Sequence, residues 1–281
     1  MTLLQAVVLG IVQGLAAFLP VSATAHLRIA PAIFGWHFYH GSTHDPGTKF
    51  TAIVQLGTAA ALVVYFWREL LQVTIAWFRG HVDRRVRGTL EYRMGWYLVL
   101  ATVPFAVLGL LFRSRLRTGA RDLWLDASAL IGFAVLLLVA ERFGRRKRVE
   151  EEIKSTDALL AAVGQTLGLI PGASRPGTMI AAGLFRGMTR ETAARFAFLL
   201  SIPGVVILSV YGAISPGKSH SPGAGLTGIA VVLAFVVGLA ALHWFMRWMA
   251  HHGTYVFVWY RVALGGVLLG LLGTGVLDAT K

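Results

Sequence analysis

The fold turns on Gln13-Gly-Leu-Ala-Ala-Phe-Leu-Pro-Val-Ser-Ala-Thr-Ala-His26, a polar stretch broken by Pro20 inside otherwise apolar sequence. A proline carries no backbone N–H and disfavours helix in the residue before it. Non-helical backbone at membrane depth persists only where protein buries it or where it lines a cavity. A second stretch, Gln165-Thr-Leu-Gly-Leu-Ile-Pro-Gly-Ala-Ser-Arg-Pro-Gly-Thr178, reads as a weaker copy, with Pro171 in the place of Pro20. The apolar runs around them, about 3–34 and 157–185, are therefore read as re-entrant helical hairpins that dip into a bilayer and meet, with the chemistry where they meet.

Composition supports a membrane setting. Of 281 residues, 56% are hydrophobic and 14% charged, with a mean hydropathy of +0.67; a soluble domain is typically about 25% charged. There is no cysteine, hence no disulfide framework and no thiol chemistry. A net charge of +13 raises nucleic acid as a partner, but the arginines cluster in short loops between apolar runs. That is the positive-inside pattern of a membrane protein, and nucleic-acid binding is set aside. The N-terminus has no basic n-region or small-residue cleavage site, so no signal peptide is read there.

A bilayer span takes roughly 17–25 mainly apolar residues. Stretches at about 50–67, 95–112, 124–141, 196–214, 224–245 and 256–277 meet or approach this. The expectation is an all-α integral membrane protein of six transmembrane helices plus two re-entrant hairpins. Segment 68–93, read as a loop, holds Arg68, Arg79, Arg84, Arg85, Arg87 and Arg93; segment 142–154 holds Arg142, Arg145, Arg146, Lys147, Arg148 and Lys154. Two spans separate them, so both fit the cytoplasmic side, as do Arg186, Arg190 and Arg195. Loop 113–123, with four arginines, weakens the bias, and loop 215–223, with Lys218 alone, faces out. Tryptophans lie mostly near span ends, as an interfacial belt; Glu150–Glu152 reads as a solvated loop, and His251-His252 as a span end rather than a metal site.

The halves echo each other. Phe50 to Tyr65 matches Phe196 to Tyr211 at a constant offset, and 97–111 echoes 260–272. Each half, about 1–141 and 157–281, is one hairpin plus three spans, joined by the basic loop 142–156. An odd number of crossings inverts the second half, an architecture favoured by transporters.

Intramembrane polar residues are costly and are functional candidates by default. In the first hairpin these are Gln13, Ser22, Thr24, His26 and Arg28; in the second, Gln165, Ser174, Arg175 and Thr178. A histidine exchanges protons near neutral pH or acts as a nucleophile. The Arg175 guanidinium suits phosphate oxygens, and glycines around it, Gly172 among them, let backbone amides approach an anion. The helix resuming near Thr178 aims its N-terminal dipole there.

At these motifs the chain resembles the undecaprenyl-diphosphate phosphatase family, the bacitracin-resistance type of bacterial integral membrane lipid phosphatase. Gln13, Gly14, Phe18, Leu19, Pro20, Ser22 and His26 match the first family motif; Pro171, Gly172, Ser174, Arg175, Pro176 and Gly177 match the second, with Thr178 one place early. The likeness also covers Asp45-Pro-Gly, Gln55-Leu-Gly, Tyr65-Phe-Trp and 194–203. It implies removal of the terminal phosphate from a C55 polyprenyl diphosphate, recycling the carrier lipid of cell-wall synthesis. His26, Ser22 and Ser174 would be catalytic. Arg175, Gln13, Thr24, Thr178 and Gly172 would bind substrate, and a divalent cation, magnesium or calcium, would assist. The implied location is the bacterial inner membrane, with the site open to the extracytoplasmic side; a homodimer stays open. Two positions depart: the second motif glutamate falls at Ala17 and a motif serine at Ala23. The remaining acids considered, Asp45 and Glu69, are read as loop residues. The chain is then either a substituted, inactivated form or a natural member with weak or altered activity. A lipid-phosphate transporter using the same anion site is the alternative.

Overall fold

The computed structural model describes residues 1–36, 38, 48–112, 122–215 and 223–277. Asp45, loop 113–121, Lys218 and the last residues of the chain lie outside them. Among the described residues the chain forms α1 (Leu3–Phe18), α2 (Ala23–Ile33), α3 (Thr48–Tyr65), α4 (Trp67–Val82), α5 (Leu90–Leu111), α6 (Leu123–Phe143), α7 (Ser155–Leu167), α8 (Arg175–Phe185), α9 (Arg190–Ile214), α10 (Ala224–His251) and α11 (Tyr255–Gly273). Helices α5, α6, α9, α10 and α11 are each long and apolar enough to cross a membrane. Helices α3 and α4 meet that test together but bend by 73° at their junction. The architecture is an all-helical, multi-pass membrane bundle.

The segment 68–93 is not the loop expected from sequence. It holds α4, a 3₁₀ turn at Arg84–Gly88 and the start of α5. Of the arginines that argue for a loop, Arg68 and Arg79 lie on the amphipathic α4, whose Val73 and Gly80 are buried, Arg84, Arg85 and Arg87 lie in the 3₁₀ turn, and Arg93 lies on α5. Gly80 is needed for this packing: a Cβ there would lie 2.3 Å from the Tyr92 ring of α5. Glu69 is therefore in the first turn of α4, ion-paired with Arg195 of α9.

Short hairpin helices hold their place through small residues. On α1, a Cβ at Gly10 would fall 2.7 Å from the Ala230 carbonyl, and one at Gly14 would fall 2.9 Å from the Gly238 amide. Backbone approach of this kind is the usual means of helix association in lipid, where apolar burial gives no preference for a protein partner. Helix α1 thus lies along α10, which also packs on α3; α7 lies along α5 and α8, and α5 also packs on α9. Helices α3 and α9 pack together, as do α6 and α11.

One end of the bundle carries a charge lattice. Buried Glu141 at the end of α6 accepts from Arg190 Nε (2.7 Å), Arg146 (3.0 Å) and the Thr254 hydroxyl (2.9 Å). Arg195 joins Glu69 and Glu150. Buried Asp157, in the first turn of α7, accepts from Arg148 (2.7 Å), Arg186 (2.6 Å) and the Lys154 amide (2.8 Å). Burial opposes charge on Asp157, but the two guanidiniums outweigh it and hold the carboxyl below the usual aspartate range. A carboxyl depressed in the folded state adds stability that is complete above its unfolded value of about 4 and is lost as pH falls through its folded value. Asp157→Asn is expected to cost about 2 kcal/mol at neutral pH. It should also flatten the decline of the thermal midpoint in detergent between neutral pH and pH 3; a decline as steep as that of the parent chain would refute the assignment.

Candidate functional site

Both proline-containing breaks take the same local form. The chain leaves α1 at Phe18 and re-enters helix at Ala23; it leaves α7 at Leu167 and re-enters at Arg175. The residue just before each second helix is a serine with left-handed φ: Ser22 at 76° and Ser174 at 68°. Non-glycine residues there carry about 1–3 kcal/mol of strain and cluster at functional sites. Each serine caps its helix: Ser22 Oγ accepts from the Ala25 amide (3.5 Å) and Ser174 Oγ from the Gly177 amide (3.4 Å). Both serines are buried.

The two breaks are joined by Arg261, a fully buried residue of α11 that sequence reasoning overlooked. Its guanidinium donates to the carbonyls of Pro20 (3.2 Å), Gly172 (3.1 Å), Ala173 (3.0 Å) and Leu130 (3.1 Å). A broken hairpin leaves carbonyls without helical partners, and Arg261 satisfies them from both hairpins at once. An arginine inside an apolar span was itself the signal. Gly172 has φ +84°, and a Cβ there would lie 2.5 Å from the Asp126 carbonyl. Its carbonyl is thus engaged by Arg261, and it does not line the cleft described next. Arg28 of α2 reaches Asp126 of α6 at 2.7 Å, which ties the helix after the first break to α6.

Between the breaks lies a cleft of about 90 Å³, several times the roughly 10–15 Å³ one water needs. Gln13, Ala17, Ser22, Ala23 and Thr24 line it from the first hairpin, Ser174 and Arg175 from the second. Thr51, Gln55 and Thr58 of α3 and Ser201 of α9 complete the polar wall; sequence reasoning left them out of the site. Gln55 and Thr58 share a helix face three residues apart, and Ser201 stands where Gln55 stands in the repeat, so polarity inside a span marked these too. Gln13 donates to Thr58 Oγ1 (3.3 Å), whose hydroxyl donates to the Gln55 carbonyl (2.9 Å). Phe18, Leu62, Met179, Phe198 and Val205 supply an apolar side.

Arg175 is the cationic residue of this lining. Its guanidinium lies 4.7 Å over the Phe105 ring, its Nε has no hydrogen-bond partner, and none of the ion pairs among the described residues includes it. The N-termini of α2 and α8 also open on the cleft, adding their positive dipole ends. The arrangement concentrates positive charge on the cleft.

Other sequence candidates lie elsewhere. Thr178 is buried, its hydroxyl against the Gly164 carbonyl (2.6 Å), and Gln165 is buried against α9 at Gly204. His26 does not line the cleft; its ring lies against Tyr260. For a divalent cation the donor set is unsuitable. Magnesium and calcium want oxygen ligands with carboxylates among them, whereas the described residues of this wall offer neutral amides and hydroxyls beside a guanidinium, and none of them is a carboxylate. Among the described residues no three His, Asp or Glu side chains converge on a metal position.

Fold and site together define a multi-pass membrane protein with a polar cleft, cationic at Arg175, beside two proline-containing helix breaks. The chain belongs to the family described as bacitracin resistance protein BacA, whose model matches residues 6–267. It is 44% identical over 280 residues to an undecaprenyl-diphosphatase of Mycobacterium ulcerans (strain Agy99), covering 98% of this chain and 99% of the relative. It is 45% identical over 285 residues to the enzyme of the same name from Mycolicibacterium smegmatis, covering 99% and 100%. For the Micrococcus luteus undecaprenyl-diphosphatase the identity is 43% over 283 residues, covering 99% and 100%.

Proposed function

We propose that the chain hydrolyses undecaprenyl diphosphate to undecaprenyl phosphate and inorganic phosphate, recycling the carrier lipid for cell-wall synthesis. The observation that carries this reading is Arg175, ion-paired with no carboxylate among the described residues, sharing one cleft with two helix N-termini and two strained serines. The guanidinium holds diphosphate oxygens and the apolar side accepts the first part of the prenyl tail. Water attacks the terminal phosphorus, its proton passing to an oxygen of the phosphate being released, the bond to the bridging oxygen breaks, and the negative charge left on the lipid phosphate is held by Arg175 and the helix dipoles. The hydroxyls of Ser22 and Ser174 lie against the transferred group. With Ala17 in the wall, no described residue of the lining offers a carboxylate to take the proton of the attacking group, so turnover is slow. The transporter alternative draws no support from the relatives.

The finer architecture is part of the proposal: six spans and two re-entrant hairpins in an inverted-topology repeat. The paired packings of α1 with α10 and α7 with α5, and the matched serines, support it. In this reading the protein sits in the inner membrane, and the lysine/arginine bias puts its basic, charge-latticed end on the cytoplasmic side. Ser201 lies about 16 Å along α9 from Arg190 at that end, at about 1.5 Å per residue, which puts the cleft near the middle of a hydrocarbon core about 30 Å thick; its opening to the extracytoplasmic side is the remaining part of the proposal. A homodimer is not required by this site, which one chain completes.

The test is phosphate release from C55 diphosphate. Arg175→Ala is expected to lower kcat/KM by about 10²–10³, the usual loss for one preorganised donor to a developing anion. Activity that survives this substitution unchanged removes Arg175 from the site.

A further inference from the structure

The hydrogen bonds of His26 fix its tautomer and direct it away from the cleft. Its Nδ1 lies 2.8 Å from the Ser22 carbonyl oxygen, and its Nε2 lies 2.6 Å from the Tyr260 hydroxyl. The two rings stack with centroids 5.6 Å apart and planes 14° apart. A carbonyl only accepts, so Nδ1 carries the proton. In the neutral ring Nε2 is then an acceptor, and the Tyr260 O–H donates to it. Both nitrogens are committed, leaving neither a lone pair nor a proton for a group bound in the cleft.

The second break performs the same task without an ionisable group. His26 stands four residues after Ser22, and Thr178 four residues after Ser174. In each case the serine carbonyl receives the backbone amide of that fourth residue, at 3.2 Å for His26 and 3.0 Å for Thr178. In each case that residue's side chain also lies against the same carbonyl, with Thr178 Oγ1 at 3.2 Å from Ser174 O. A threonine cannot act as a base near neutral pH, so this shared position is one that holds a strained serine.

We infer that His26 and Tyr260 form a positioning pair: they hold Ser22 in its left-handed conformation and thereby aim its hydroxyl and the N-terminus of α2 into the cleft. His26 does not itself touch the diphosphate. Tyr260 becomes a further residue the reaction depends on, acting from α11 next to Arg261, which ties the carbonyl of Pro20 in the same break. The inference rests on the hydrolytic reading given above, and its test is chosen so that the two can fail separately.

Phosphate release from C55 diphosphate is compared for the full-length chain and for His26→Ala, His26→Asn and Tyr260→Phe. Asparagine places Nδ2–H where histidine has Nδ1–H, keeping the bond to Ser22. His26→Ala is expected to lose about 10²-fold in kcat, the effect of displacing a reacting group by about 1 Å. His26→Asn should recover to within about threefold of the parent with the same pH profile, and Tyr260→Phe should fall between. A His26→Asn variant as inactive as His26→Ala, with Tyr260→Phe at parent level, overturns the inference. Nitrogen NMR of histidine-labelled protein reads the same point without turnover. The resonances lost in His26→Asn should show a protonated Nδ1 and an accepting Nε2, the latter shifting in Tyr260→Phe; a protonated Nε2, or no shift, overturns it. Should the parent chain release no phosphate, the hydrolytic reading fails while the NMR result still decides the pairing.

Discussion

Replacing Ala17 with glutamate is expected to raise phosphate release by about 10²–10⁴, the contribution of one positioned general acid–base group. Ala17 is half-buried, lines the cleft and sits one turn after Gln13 on the same face of α1. A carboxylate there would share the cavity with Arg175 and the serine hydroxyls, and could accept the proton of the attacking group. The control is Ala17→Gln, which has the same size and no basicity. A gain confined to glutamate, with an acidic limb appearing in the pH profile, is the expected result. No gain with glutamate, or an equal gain with glutamine, would show that the missing carboxylate is not what limits this chain. A carboxylate that binds Arg175 too tightly would compete with phosphate, so KM and kcat need separate measurement. Ala23→Ser, at the first residue of α2, restores the other departing side chain and should add a smaller gain.

Arg261→Met should lower stability by roughly 4 kcal/mol, taking about 1 kcal/mol for each carbonyl that loses its donor. The four carbonyls within 3.2 Å are those of Pro20, Leu130, Gly172 and Ala173. Pro20, Gly172 and Ala173 lie in the breaks, and no backbone amide among the described residues donates to them. Water in the cleft could relieve some of this loss, but the guanidinium is fully buried and its partners with it. Arg261→Lys keeps the charge without the planar fork and should lose about half as much. Thermal unfolding in detergent measures both. A methionine variant with an unchanged midpoint would mean that the breaks are held by their proline and serine geometry alone.

The sequence carried the membrane class and marked the two proline breaks, Arg175 and the serines before the resuming helices. Each of these is a statement about one residue type in one local setting: proline within an apolar run, arginine beside glycine, serine before a resuming helix. It misread 68–93 because α4 is amphipathic, and a helix with one apolar face has the composition of a charged loop. The cleft wall from α3 and α9 was visible as polarity within spans, yet its relation to the hairpins depends on helix contacts between residues far apart in the chain. His26 shows the division most clearly. Sequence marks an ionisable side chain four residues after Ser22, and only the fold brings Tyr260 to its other nitrogen. Local chemistry determined which residues are costly to bury. Tertiary packing decided which of them face the cleft and which are spent satisfying broken backbone, because hydrogen-bond partners in a membrane interior must come from other parts of the same protein.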